Sequence, residues 1–239
     1  MIEIEPLKWE GQTDVDPGRE KILVLDIETA EWIKSDSFRD YMFNTMGDKR
    51  LKDPIKILEN QEKVADKFAL DPRTGKIIMI GYLANWQSIG DFKDLGDNIY
   101  EFLDFSKDEK LILERFWMIL ADAYLKSATI ITKNGKVFDI PFIYKRALIR
   151  NILPNACVHP YQSLIYPYSI KPHFDLSLFL DKGRLSEWAY LLNEADTFFP
   201  DGANIPGWFK KDQHELIIQK NRLDLGQTFR IYNKIKRYL

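Results

Sequence analysis

Apolar positions along the chain fall into two kinds of run. Ile22-Leu23-Val24-Leu25 is continuous and ends in Asp26, and Ile77-Ile78-Met79-Ile80 lies within a second run over 76–83. Uninterrupted runs of this length predict strands covered on both faces. A third strand is predicted over 98–103, where apolar and polar residues alternate, and a fourth over 128–132. The gaps between the first three lack a helical period, which favours an antiparallel meander.

The period then changes. Over 108–126, Leu111, Ile112, Phe116, Ile119, Leu120 and Ala123 fall on one helical face. A second helix is predicted over 140–151, with Pro141 tolerated in its first turn. A short helix is expected over 186–192. A long amphipathic helix is expected from Lys211 to the end, with Leu216, Ile217, Leu223, Phe229, Ile231 and Ile235 as core positions. Residues 152–172 carry four prolines and read as irregular, and 201–207 reads as a Gly/Pro loop. Residues 32–72 are charged and weakly periodic, fitting either a helical insertion or a flap over a site. The expectation is an N-terminal extension over 1–20 and one mixed α/β domain over 21–239 with an insertion at 32–72.

Composition narrows the class of function. The 239 residues are 45% hydrophobic and 13% aromatic, enough for a large core. Basic and acidic residues number 34 and 36, a net of -2, so no bulk positive field draws nucleic acid to this chain. The charge is uneven, however. From Gly202 onward eight basic residues face three acidic ones, leaving that part at +5 and the rest at -7. Cys157 is the single cysteine, which excludes an intrachain disulfide and a cysteine-built zinc site. Three histidines are too few for a histidine-rich zinc site. The acidic start, Met1 to Glu5, lacks a signal-peptide pattern, and no apolar run reaches about 18 residues. A cytoplasmic protein without membrane contact is expected. No Gly-rich phosphate loop is present.

Candidate chemistry rests on four acids. Asp26 and Glu28 flank Ile27 at the end of the first strand. Residues two apart on a strand share a face, so both carboxylates can converge on one point. Such a pair repels unless protons or cations neutralise it, and hard oxygen donors suit magnesium or manganese. Read alone, the pair is equally a solvated strand end or a helix cap. Asp139 follows the tight turn at Asn134-Gly135 and falls at a helix start, where it could simply be an N-cap. Asp224 sits inside the last helix, a poor place for Asp, with Lys220 one turn earlier on the same face. The plain reading there is an i,i+4 ion pair. Asp175, after Pro172 and His173, reads as a structural acid.

Together these segments resemble the DEDD family of 3′–5′ exonucleases. Asp26-Ile27-Glu28-Thr29 resembles its first motif, and Asn134-Gly135 with Phe138-Asp139 and Pro141-Phe142 its second. Asn221 to Leu225 with Thr228 and Tyr232 resembles the end of the third. The order is right, and the subgroup is similar to the proofreading domain of family B DNA polymerases. The resemblance implies a ribonuclease-H-like α/β fold: a mixed five-stranded sheet, three antiparallel strands first, flanked by helices. It implies Asp26, Glu28, Asp139 and Asp224 as ligands of two divalent metal ions, Mg2+ or Mn2+, about 3.5–4 Å apart. It places Thr29 beside the terminal nucleotide, with Asn134 and Phe138 shaping the same pocket. The implied substrate is the 3′ end of single-stranded nucleic acid, DNA preferred and RNA an alternative. The sequence assigns no oligomeric state.

One departure stands out. The family carries Tyr four positions before the last Asp, or His five before; here Lys220 and Gln219 hold those places. His214 is ten residues from Asp224, about 15 Å along a helix. Among surrounding carboxylates a lysine is expected to stay charged. It could orient the water, contact the scissile phosphate, or replace part of the second metal's charge. It could equally mark an inactive chain that binds nucleic acid or a partner without cleaving it.

Overall fold

The computed structural model describes residues 20–65, 67–154, 157–180, 183–194 and 202–239. The expected N-terminal extension lies, apart from Glu20, outside the described residues.

Strand β1 (Ile22–Glu31) pairs antiparallel with β2 (Gly75–Ala84), which pairs antiparallel with β4 (Tyr100–Phe105). On its other edge β1 pairs parallel with β5 (Thr129–Thr132), and β5 with β6 (His173–Asp175). A two-residue strand β3 (Lys93–Asp94) closes the far edge, giving the order β3-β4-β2-β1-β5-β6. Among the described residues the sheet therefore has six strands where five were expected. The exposed β3 is only the short first arm of a hairpin with β4, too brief to show a hydrophobic period.

The alternation of β1 decides which face does what. Leu23, Leu25 and Ile27 join one core with Ile112, Phe116 and Leu120 of α3 (Glu109–Leu125) and Ile140 and Ile143 of α4 (Asp139–Arg150). Ile22 and Val24 join a second core with Leu225, Phe229 and Ile231 of α8 (His214–Ile235). Asp26 and Glu28 continue the parity of Ile22 and Val24 and so turn toward α8. Register between β1 and β2 shifts at Glu28/Thr29, a bulge at the end of this acidic stretch.

The remaining helices refine the sequence reading. Within 32–72 the described residues form two helices, α1 (Asp36–Met46) and α2 (Pro54–Ala65), and a 3-10 turn at Phe68–Leu70. Met42, Val64 and Phe68 make their own small cluster with Phe38 and Phe43. Residues 161–165 form α5 (Tyr161–Ile165) inside the stretch expected to be irregular, and α6 (Leu185–Leu191) falls where a short helix was expected. Of the expected loop at 201–207, residues 202–207 instead form a 3-10 turn (Gly202–Asn204) and start α7 (Ile205–Lys210), because Pro206 sits in the first turn, where its missing N–H costs nothing. The last helix starts at His214 rather than Lys211. Leu111 departs from its expected core position; it is 45% exposed.

Candidate metal-binding and active site

Two features of the fold bring the acids together. First, β1 outruns its parallel neighbour: β5 pairs only with Ile22 to Val24. Past that point the edge of β1 has no strand to bond to, yet its amides are buried and need partners. The N–H of Ile27 donates to Asp139 Oδ1 at 3.2 Å, so the first residue of α4 takes over where β5 stops. Second, α8 crosses close to the acidic end of β1. Gly81 of β2 lies opposite Asp26, and a Cβ there would come within 1.7 Å of Asn221 Oδ1 and 2.7 Å of Leu225 Cδ1. Only a missing side chain lets the helix approach this far.

Ligand oxygens of Asp26, Glu28 and Asp224 consequently lie within 4.8 Å of one another. Asp139 joins from the side through the intervening Ile27 amide. Asn221, fully buried, reaches across from α8. Its Nδ2 donates to Asp26 Oδ2 at 2.9 Å and approaches Glu28 Oε1 at 3.4 Å. Lys220 Nζ forms an ion pair with Asp224 Oδ2, both side chains largely buried. The plain i,i+4 reading of that pair is what the structure contains.

The electrostatics are strained without a cation. Burial raises the Asp26 carboxyl well above its usual value, reinforced by Glu28, Asp224 and Asp139. Burial, with Asp224 and Asp139 adding to it, pushes Glu28 up to about 8, although Lys220 and Asn221 pull the other way. Burial also pushes Asp139 up to about 7 against the stabilising Ile27 N–H. At Lys220 burial works against the charged form, but Asp224, Glu28 and Asp26 outweigh it and hold the group above the usual lysine value. Lys220 is thus an ammonium, a poor general base. Three crowded carboxylates with all-oxygen donors fit a hard divalent ion such as Mg2+ or Mn2+.

The second motif is held from β6. Asp175 Oδ1 accepts from the Asn134 and Ser177 amides, and its Oδ2 from the Lys136 amide. This is the structural role expected of that acid. His173 Nδ1 faces the Leu164 carbonyl at 2.6 Å, and Nε2 faces Thr132 Oγ1 at 2.7 Å. That hydroxyl in turn accepts from the Gly135 amide. Of the expected pocket residues, Thr29 is buried just past the bulge. Phe138 is half-buried immediately before α4 and packs on Phe142. Asn134 is exposed with a φ of 67°, and its described hydrogen bonds are backbone ones.

Gly81 is a contributor that sequence reasoning passed over, and Asn221 was placed in the third motif without being given a role in the site. Asn221 carries no charge to draw notice, although an Asn within a helix and one turn from Asp224 is a usable signal.

Residues 73–238 match a family model described as "Predicted 3'-5' exonuclease related to the exonuclease domain of PolB". The family B DNA polymerase from the hyperthermophilic archaeon Pyrobaculum calidifontis is similar in structure, with a TM-score of 0.57 and 14% identity over 91% of this chain. The matched region is 24% of the polymerase chain, so the likeness concerns one part of that protein. The fold is of the ribonuclease-H-like kind found in such exonuclease domains. No curated protein matches. Among the described residues no helix is long and apolar enough to cross a membrane.

Proposed function

The chain belongs to the family of predicted 3′–5′ exonucleases related to the exonuclease domain of PolB, and from that premise we propose that it removes nucleotides from the 3′ end of single-stranded DNA by metal-dependent phosphodiester hydrolysis. The observation that carries this reading is the convergence of Asp26, Glu28 and Asp224, with Asp139 bonded alongside. On this reading the four carboxylates hold two divalent ions, Mg2+ or Mn2+. Ions bound there supply Lewis-acid charge to the scissile phosphate and lower the pKa of the attacking water.

The protein's own groups divide the remaining work. Asn221 holds the Asp26 and Glu28 carboxylates in place through its amide hydrogens. Thr29 and Phe138 border the terminal nucleotide, with Asn134 at the turn beyond. Lys220, as an ammonium, offers hydrogen bonds to the water or to a non-bridging phosphate oxygen, but it does not take a proton. The reading treats 21–239 as one domain with α1 and α2 inserted. It fits a cytoplasmic setting. RNA is the alternative substrate, because the fold serves both nucleic acids.

A second reading has its own support. The Lys220–Asp224 ion pair occupies the place where the family resemblance implies a Tyr, which would suit a module that binds nucleic acid or a partner without cleaving it. Incubating 5′-labelled single-stranded DNA and RNA with Mg2+ or Mn2+ separates the two. A ladder shortening from the 3′ end, abolished by Asp26→Ala, is expected. Intact substrate with either metal, at enzyme concentrations that saturate binding, would leave the binding module.

A further inference from the structure

Lys220 does more than stand in a family position. It precedes Asp224 by one turn, the less favourable order for an i,i+4 pair on a helix. The helix alone therefore gives little reason for the contact. Asp224 attracts the ammonium most strongly, and Glu28 and Asp26, across the site on β1, add to that attraction. Asn221 brings only a neutral amide to those carboxylates. The lysine is 12% exposed and the aspartate 18%, so neither is dispersed into solvent. The three acids that face Lys220 are also the three whose oxygens lie within 4.8 Å of one another. Ammonium and divalent ion would thus draw on one set of oxygens.

We propose that Lys220 is a tethered counter-ion of the carboxylate pocket, and that a divalent ion enters by displacing its ammonium from Asp224. This rests on reading the pocket as a metal site. In the absence of metal the ammonium compensates acids that would otherwise be buried and mutually repelling. Metal uptake is then an exchange of one cation for another. The pocket takes up ions less tightly than the same acids would without the lysine, so the site loads at high rather than trace divalent concentration. The displaced side chain is freed from Asp224 and becomes available to solvent and to the substrate's phosphates.

The experiment has two arms on the full chain. In the first, wild-type protein is reductively methylated in EDTA and in Mg2+, and modification is followed by mass spectrometry. Lys220 is expected to react several-fold faster with Mg2+, while exposed Lys126, just past the end of α3, keeps its rate. An unchanged or slower rate at Lys220 overturns the exchange. In the second arm, Mn2+ is titrated calorimetrically into wild type, Lys220→Gln and Lys220→Arg. Removing a unit charge next to a divalent ion should tighten binding by at least about tenfold in Lys220→Gln. Lys220→Arg, which keeps the charge, should titrate like wild type. Equal or weaker binding by Lys220→Gln overturns the proposal while leaving the metal site intact. Failure of all three proteins to bind Mn2+ overturns the metal-site reading and this proposal with it. The first arm needs no variant, so a misfolded Lys220→Gln does not block the test.

Discussion

At the scale of single residues, Asn221 does the least conspicuous and most connected work. Its amide hydrogens satisfy oxygens of Asp26 and Glu28, and its Oδ1 occupies space left by Gly81. Replacing it by Ala removes those donors but leaves the acids buried. An unsatisfied buried polar group costs roughly 1–3 kcal/mol, and the better helix propensity of Ala recovers only a few tenths. Asn221→Ala is therefore expected to lose about 1–2 kcal/mol in urea unfolding in EDTA. Saturating Mn2+ should narrow the deficit, because the ion then binds the oxygens that the amide had served. A deficit of the same size with and without Mn2+ would mean that Asn221 only packs α8 against β2. Residues of this kind also explain what was legible beforehand. Asp26 and Glu28 stand out because charge at the end of a buried strand is rare and period two puts them on one face. Asn221 and Gly81 are neutral, and their importance comes from how closely a distant helix approaches.

At the scale of elements, long apolar runs announced β1 and β2, alternation announced β4, a short apolar stretch announced β5, and helical spacing announced α3. Elements without such a signal stayed hidden. The helices α1 and α2 bury few residues, mainly Met42, Val64 and the following Phe68, so no wide stripe marks them. The six-residue α7 was masked by Pro206 and Gly207, which read as loop signals. The position of Asp139 was half legible. Its place at a helix start could be read, but its bond to Ile27 depends on β5 stopping three pairs into β1. The β5–α4 connection that sets this position is fixed by β6, and it carries a pH prediction. His173 is buried and its imidazole is pushed down to about 4, chiefly by burial, with the Leu164 carbonyl and Asp175 partly opposing and Lys136 adding to the depression. Neutral imidazole donates from Nδ1 to Leu164 and accepts at Nε2 from the Thr132 hydroxyl, which frees the Thr132 oxygen to accept from Gly135. Protonation would set two donors against each other at Nε2. Because the folded pKa lies below the unfolded value near 6.5, the unfolded chain binds the extra proton first. Stability from this group is thus complete above about 6.5 and falls as pH drops toward 4, by up to about 3 kcal/mol. Urea unfolding across pH 4–7 should show a steeper loss for wild type than for His173→Gln. Parallel curves would remove His173 as the titrating group.

At the scale of the whole molecule, the uneven charge noted in the sequence turns out to be largely spent inside the fold. Arg222 pairs with Glu101, Lys210 with Glu31, Lys234 with Glu194 and Lys236 with Glu20. Arg230 donates to the Glu194 carbonyl, and Lys220 pairs with Asp224. The basic excess from Gly202 onward therefore ties the last helices to the acidic remainder of the chain, and only part of it is left for phosphates. A protein that gripped single strands along a positive groove would release many counterions and lose affinity steeply with salt. If this chain holds one strand end at a metal pocket, as proposed, it should not. Each neutralised phosphate contributes about -0.7 to the slope of log K against log salt for single strands. With contacts limited to the terminal one or two phosphates, the expected slope is about -0.7 to -1.4. Fluorescence anisotropy of a labelled oligonucleotide, with Ca2+ in place of Mg2+ to slow cleavage and salt stepped over 50–300 mM, would measure it. A slope steeper than about -4 would correspond to six or more phosphates and would replace the end-gripping picture with an extended basic track. The same titration with a 3′-phosphorylated oligonucleotide sharpens the answer. If the pocket holds the terminus, blocking the 3′ hydroxyl changes affinity at every salt concentration. A groove binder would not register the change.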